Sequence, residues 1–332
     1  MNIPIQFSSL EHKRRAKKKL WPRLIIYFLL IIILAVNIFG FYIGNKFYKL
    51  TFEGNTNRNT DFFAESKYTF NEKRYNALQK EDVSVGSKNN YRLYGTYLKN
   101  PVPTKNTIIL LHDIGTNRWS TLKYIDMYLD KGFNILIYDA RDHGHSGGKN
   151  VTFGFNEKVD LDRWVTWTAS KNKGGIIGVH GEGLGASTAL LQADKAINNN
   201  KVNFYIADSP YSDLSQLFTL RLKEDYKIRN GFAIKFILFY LEKINKINNH
   251  FTFKETSPIN SIKNVTAPIL FIHGEKDTLI PKSMSEDLYN AKSSAKDIYI
   301  VPNSAHLETY SSNQDEYKNK VYSFIDSYIP QK

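Results

Sequence analysis

Ile176-Ile177-Gly178-Val179-His180-Gly181-Glu182-Gly183-Leu184-Gly185-Ala186-Ser187-Thr188-Ala189-Leu190 is the stretch that decides how the rest of the chain is read. An apolar run, three glycines on alternate positions and a small, apolar tail predict a buried strand, a sharp turn and a helix. When such a strand–turn–helix carries the pattern G-x-S-x-G, the serine stands at the tip of the turn with its oxygen above the sheet. The tip here is Gly183. Glycine tolerates the strained backbone of the turn, but it offers no oxygen.

Working outward, the continuous apolar runs at Thr107–Leu111 and Asn134–Tyr138 are separated by a helical stretch from about Ser120 to Lys131. Unbroken apolar strands alternating with helices indicate parallel strands covered on both faces. A helix at 156–171, the strand at 175–180, the turn helix to about Asn198 and a strand at 202–208 continue the rhythm. After a break come a strand at 267–273, a helix at 282–291, a strand at 296–301 and a helix at 314–328. Glu81–Val85 and Tyr91–Leu98 alternate as a hairpin would and open the folded region. The expectation is an α/β core at 81–210 and 265–332, with 211–264 inserted as a helical cap. Gly231–Asn248 bears aromatics on more than one face. It either buries them against the core or lines an apolar pocket or a membrane surface.

The chain has 332 residues, 42% apolar and 14% aromatic, enough for a substantial core. Its net charge of +13 is concentrated near the start, where Lys13, Arg14, Arg15, Lys17, Lys18, Lys19 and Arg23 stand without an acid. The residues immediately after that run argue against nucleic acid as its partner. Leu24–Ile43 is almost wholly apolar, and about 20 such residues suffice for a helix to cross a hydrocarbon core. Residues 1–23 thus read as a basic cytoplasmic segment, 24–43 as a transmembrane helix and 44–80 as a stalk, with the C-terminal domain extracytoplasmic and the protein in the cell membrane. A cleaved signal peptide is the competing reading; the bulky Phe39, Phe41 and Tyr42 and the length of the run speak for an uncleaved anchor. With no cysteine, disulfides, thiolate metal sites and a cysteine nucleophile are excluded.

Several separated stretches resemble one family. They are Leu111-His112-Asp113-Ile114-Gly115-Thr116-Asn117, Tyr138-Asp139-Ala140-Arg141-Asp142-His143-Gly144-His145-Ser146-Gly147-Gly148, the glycine turn, His273-Gly274-Glu275-Lys276-Asp277-Thr278-Leu279-Ile280-Pro281, and Asn303-Ser304-Ala305-His306. From about Asp82 onward the chain resembles the α/β-hydrolase superfamily, within it the membrane-anchored bacterial serine aminopeptidase and BEM46-like group. The resemblance implies a serine hydrolase acting on an ester, acyl lipid or peptide amide without a cofactor. Its nucleophile position would be Gly183, its acid Asp277 and its base His306, in the superfamily's chain order. The oxyanion hole would be built from backbone N–H groups of Leu184 and of Asp113 or Ile114. The family usually has glycine where Asp113 stands.

Loss of a triad nucleophile costs on the order of 10⁶ in turnover, so the chain as written reads as an inactive or strongly impaired hydrolase. Ser187, one turn into the helix, and Ser209 are poor substitutes, and Glu182 is the remaining polar group at the turn. Two classes stay open: a hydrolase with an isolated substitution, favoured by the retained Asp277 and His306, and a non-catalytic pseudohydrolase binding a ligand or partner at the cell surface, favoured by Asp113. His112, His143 and His145 invite a metal reading, but they match structural positions of the family. Gly181-x-Gly183-x-x-Ala186 with Asp208 also satisfies a dinucleotide fingerprint; that reading leaves Asp277, His306 and the cap unexplained.

Overall fold

In the computed structural model, residues 7–53, 70–194 and 201–329 are described, those before residue 21 by their backbone alone. The Asn55–Thr60 stretch, read from sequence as flexible, lies outside them. Helix α1 (Phe7–Tyr48) runs through the apolar span and continues as a π-helical turn, Lys49–Glu53. Residues 21–53 are long and apolar enough to cross a membrane. A short helix α2 (Glu72–Ala77) then leads into the sheet.

Eight strands form one sheet in the order β1-β2-β4-β3-β5-β6-β7-β8. β1 (Lys80–Gly86) and β2 (Arg92–Leu98) make the expected antiparallel hairpin, and β2 also pairs antiparallel with β4 (Asn134–Tyr138). β3 (Thr107–Leu111), β4, β5 (Ile177–Glu182), β6 (Phe204–Asp208), β7 (Ile269–Gly274) and β8 (Lys296–Val301) run parallel. Their apolar residues feed two core layers, one per face, which is why these strands do not alternate in sequence.

The chain passes from β3 to β4 in one direction and then returns past β3 to β5. That reversal leaves a crevice at the carboxyl ends of β3 and β5, where open α/β sheets place their ligands. Leu111 faces Gly181 across the pair, so the loop after β3 and the turn after β5 are held side by side.

The helix after the glycine turn, expected to about Asn198, ends at Gln192, and residues 195–200 lie outside the described ones; local structure departs from the sequence pattern in two further places. The stretch expected as one helix from Ser120 begins as a 3₁₀ helix, Arg118–Tyr124, and becomes α3 (Ile125–Asp130) only afterwards. Ser120 Oγ and Thr121 Oγ1 donate to carbonyls three residues back, and Arg118 N–H goes to Asp139; these competing bonds favour the tighter winding. β5 also runs to Glu182, two residues beyond the expected end, because Glu182 still pairs with Asp208 on β6.

Helix α4 (Glu157–Lys171) covers one face and α5 (Leu184–Gln192) follows the turn. Between β6 and β7 lie α6 (Leu214–Glu224), α7 (Gly231–Asn249), a 3₁₀ turn Phe253–Thr256 and α8 (Pro258–Ser261). Their apolar faces make a third cluster, and Phe47 and Tyr48 from the end of α1 and Phe52 from the π-helical turn are buried in it. The helices α9 (Ser283–Ala291), α10 (Thr309–Ser312) and α11 (Gln314–Tyr328) complete the core.

Candidate active site

Gly183 adopts φ +51° and ψ −113°, a backbone that side-chain-bearing residues rarely take, and its N–H donates to Asp208 O at 2.8 Å. The turn is tight because Gly181 and Gly185 have no side chains. A Cβ on Gly181 would lie 2.3 Å from the Gly185 carbonyl oxygen.

The loops after β7 and β8 bring Asp277 and His306 together. Asp277 Oδ2 accepts from His306 Nδ1 at 2.6 Å, and its Oδ1 accepts the N–H groups of Leu279 and Ile280, each at 2.9 Å. Burial opposes its charge, but hydrogen bonds from His273 and His306 outweigh it and hold the carboxyl well below the usual range. The geometry is that of an acid orienting a histidine.

Where a serine oxygen would complete that chain, the structure has a carboxylate. Asp113 Oδ1 accepts from Leu184 N at 2.6 Å, and Oδ2 lies 3.5 Å from His306 Nε2. A Cβ built on Gly183 would stand 2.1 Å from Oδ1 and 2.4 Å from Cγ of Asp113. Of the three residues expected around the hole, Leu184 gives its N–H to the Asp113 carboxylate, Ile114 lines the adjoining cavity, and Asp113 contributes a side chain that fills the space.

The Asp113 loop is fixed by imidazoles. His112 Nδ1 donates to the Asp113 carbonyl at 2.7 Å while its Nε2 accepts from Ala140 N at 2.9 Å. Burial lowers the His112 pKa to about 4, so the ring stays neutral and can do both. His143 Nε2 accepts from Gly115 N at 3.2 Å and its Nδ1 bonds the Arg141 carbonyl at 2.8 Å. These four ring nitrogens are all engaged by backbone. Among the described residues no group of three His, Asp or Glu is arranged to hold a metal ion.

Facing two carboxylates, His306 changes character. Burial alone would lower its pKa, but hydrogen bonds to Asp113 and Asp277 raise it to about 10. At neutral pH it is an imidazolium, unable to act as a base until Asp113 loses its charge or moves away.

The other polar groups considered from sequence are committed elsewhere. Ser187 Oγ accepts from Tyr211 N at 2.9 Å and lies 3.2 Å from the Gly183 carbonyl. Ser209 Oγ donates to Asp208 Oδ1 at 2.9 Å. Glu182 is buried against Lys123 Nζ at 2.9 Å. Asp208 is buried too, accepting from Tyr317 OH at 2.9 Å and from Thr309, which leaves no open face for a ribose. Lys123 was not singled out from sequence, because nothing local marks a lysine as buried.

Above Asp113, Leu184 and His306 opens a cavity of about 610 Å³ walled by Ile114, Phe153 and Phe218. Carboxylate and imidazolium therefore form a polar floor, and Arg221 and Asp225 add charge to otherwise mainly apolar walls, a make-up that suits a small-molecule site.

The uncharacterized protein YqkD of Bacillus subtilis is 36% identical to the chain over 254 residues, covering 76% of this chain and 81% of YqkD. The fold matches the Pyrococcus furiosus esterase Pf2001 with a TM-score of 0.62 at 23% identity, over 79% of this chain and 99% of the esterase. The chain belongs to the family of YqkD and has the α/β-hydrolase fold. More distantly, the α/β-hydrolase domain-containing protein WAV2 of Arabidopsis thaliana is 21% identical over 264 residues, 76% of this chain and 80% of WAV2. The profile of the prolyl oligopeptidase family matches residues 231–332. In this α/β-hydrolase chain that segment contains both Asp277 and His306.

Proposed function

We propose that this α/β-hydrolase-fold protein is tethered outside the membrane by residues 24–43, with its N-terminus cytoplasmic, and that serine-ester chemistry is closed in the chain as it stands. Within the superfamily we group it with the membrane-anchored serine aminopeptidase and BEM46-like proteins. Its pocket then serves to hold a ligand or partner at the cell surface, a lipid-like ester, acyl lipid or peptide being the chemistry that apolar walls and a charged floor would accept. One observation carries this reading: the Asp113 carboxylate stands where a serine side chain would stand and uses the Leu184 N–H that an oxyanion would need. Two departures from the family pattern are complementary in volume, which supports reading them together. Full-length protein in membranes is expected to resist a fluorophosphonate probe and to turn over p-nitrophenyl acyl esters no faster than its His306→Ala variant. Stoichiometric labelling of any serine would overturn the proposal.

The 3.5 Å separation between Asp113 Oδ2 and His306 Nε2 favours a second reading, in which the carboxylate is itself a nucleophile. Oδ2 would attack a saturated carbon, a C–O bond forming as the leaving group departs with its electron pair and takes the His306 proton. Esterified Asp113 carries no charge, so neutral His306 could deprotonate a water that attacks Cγ, the oxyanion forming on Oδ1 against Leu184 N–H. Collapse releases the alcohol, which takes the proton back from His306; the regenerated Asp113 carboxyl then reprotonates the ring. A single turnover of an alkyl halide or epoxide in ¹⁸O-water would leave the label on Asp113, detectable in its peptide by mass spectrometry. Turnover with no label in that peptide excludes this chemistry.

A further inference from the structure

We propose that helix α7 of the cap is inserted in the outer leaflet beside the anchor helix, so that the pocket opens at the lipid surface and its ligand is a membrane lipid. The observation is where α7 meets α1. Gly40 and Gly44, four residues apart, are a small-residue pair of the kind that lets helices approach closely, and Tyr240 fills it. A Cβ on Gly40 would lie 2.2 Å from the Tyr240 ring. Tyr240 OH donates to Asn37 Oδ1 at 3.0 Å, while Asn37 Nδ2 donates to the Ile33 carbonyl at 2.8 Å. Phe236 packs against Phe39 with ring centroids 6.2 Å apart, and Phe41 meets Tyr240 edge-on at 5.2 Å.

Asn37, Phe39, Gly40 and Phe41 belong to the last two turns of the apolar span, and Gly44 follows its end. At about 1.5 Å per residue, Asn37 lies roughly 9 Å inside the outer end of a span that closes at Ile43. A polar side chain at that depth needs a partner, and Tyr240 supplies it. α7 is therefore carried at the depth of the acyl-chain boundary.

Its outward face suits that place. Phe232 is 79% exposed and Phe239 54%, and with Phe236 they lie one helical turn apart along a stripe flanked by the exposed Lys235, Lys243 and Lys246. Phenylalanines bordered by lysines are the composition of a helix lying in the interface of an anionic bilayer. The stripe is continuous with the exposed apolar surface of α1. The cavity follows from the same geometry, because Leu50 and Thr51, just beyond α1, and Tyr226, whose ring meets Phe47 edge-on, are part of its lining. Leu50 is about 10 Å beyond Ile43 by helical rise, at the level of the headgroups.

The inference rests on reading residues 24–43 as an uncleaved span, and the test separates the two. The natural chain has no cysteine, so Phe239→Cys, Leu50→Cys and Val102→Cys each place one fluorophore on the full-length protein. Val102 is 71% exposed in the β2–β3 loop, at the opposite ends of the strands from the site. In vesicles of phosphatidylglycerol and phosphatidylcholine, the label at 239 is expected to be quenched by acyl-chain nitroxides. The label at 50 should be quenched best by headgroup nitroxides, and that at 102 only by iodide in solution. Gly40→Leu, which displaces Tyr240, should reduce the quenching at 239. A label at 239 as open to iodide as that at 102, on protein that remains membrane-bound, overturns the proposal. So does a label shielded from both quenchers by a second copy of the chain. Protein released from the vesicles, or lacking its first 43 residues, sinks the anchor reading instead.

Discussion

Asp113→Gly combined with Gly183→Ser is expected to convert the chain into an ester hydrolase, while neither change alone does so. The serine alone enters a space already taken, since its Cβ would stand 2.1 Å from Asp113 Oδ1. If the carboxylate moves aside, it still competes for the Leu184 N–H, and loss of an oxyanion donor costs about 10²–10³ in turnover. It also keeps the proton on His306, whose pKa of about 10 depends on Asp113 and Asp277 together. The glycine alone frees the hole and lets His306 return toward its ordinary range, but leaves nothing to acylate. Since losing a triad nucleophile costs on the order of 10⁶, the double variant should exceed the natural chain by at least about 10³ in ester turnover. It should exceed Gly183→Ser alone by about 10²–10³. Fluorophosphonate labelling and p-nitrophenyl ester hydrolysis of the four folded proteins read this directly. Equal activity of Gly183→Ser and the double variant would show that Asp113 is no obstacle; an inactive but folded double variant would mean that the site has decayed beyond these two positions.

Lys123→Met is expected to be the most damaging single change outside the pocket. Lys123 Nζ, buried from solvent, bonds Glu182 Oε2 at 2.9 Å at the end of β5 and the Leu307 carbonyl at 3.3 Å beside His306. One side chain thus ties the glycine turn to the histidine loop. Removing one partner of a buried pair typically costs about 3–5 kcal/mol, on the order of 10 °C in melting temperature for a domain of this size. Burial drives the Glu182 pKa up, and the charge and hydrogen bond of Lys123 hold it down to about 7. Without the lysine it rises further, so the native state prefers a protonated carboxyl. Its penalty is absent below the unfolded value near 4.5 and grows as the pH climbs through the folded one. Thermal melts should therefore show the deficit of Lys123→Met widening between pH 7 and pH 8 by up to about 1.4 kcal/mol, on top of any pH-independent loss. Lys123→Met/Glu182→Leu should recover much of the loss at pH 8. A loss under about 1 kcal/mol at pH 8 would place this pair among the weak ones.

The sheet was legible in the chain because its signals are local. Continuous apolar runs at 107–111, 134–138 and 267–273 read as strands buried on both faces, as β3, β4 and β7 are, whereas β8 opens on Lys296 and Asp297 and is only partly buried. The glycines at 181, 183 and 185 announce a turn whose backbones nearly touch. The order of Gly183, Asp277 and His306 along the chain, each at the carboxyl end of a strand, could likewise be read without coordinates.

What those positions do to one another was decided only by tertiary structure. Asp113 and Gly183 are neighbours because the reversal at β3 puts their two loops side by side, and no periodicity reports on a contact between loops. In the fold the Asp113 carboxylate points at the Leu184 N–H, which brings two separate departures from a family pattern together as one complementary pair. Lys123 reads as an ordinary surface lysine until Glu182 is placed against it, and Gly40 and Gly44 read as the end of the span and the start of the stalk until Tyr240 packs against both. Backbone conformation follows from near neighbours in the chain, and those are written in order. Charge pairing, steric complementarity and membrane depth depend on segments far apart in sequence, which only the packed sheet and cap bring within reach.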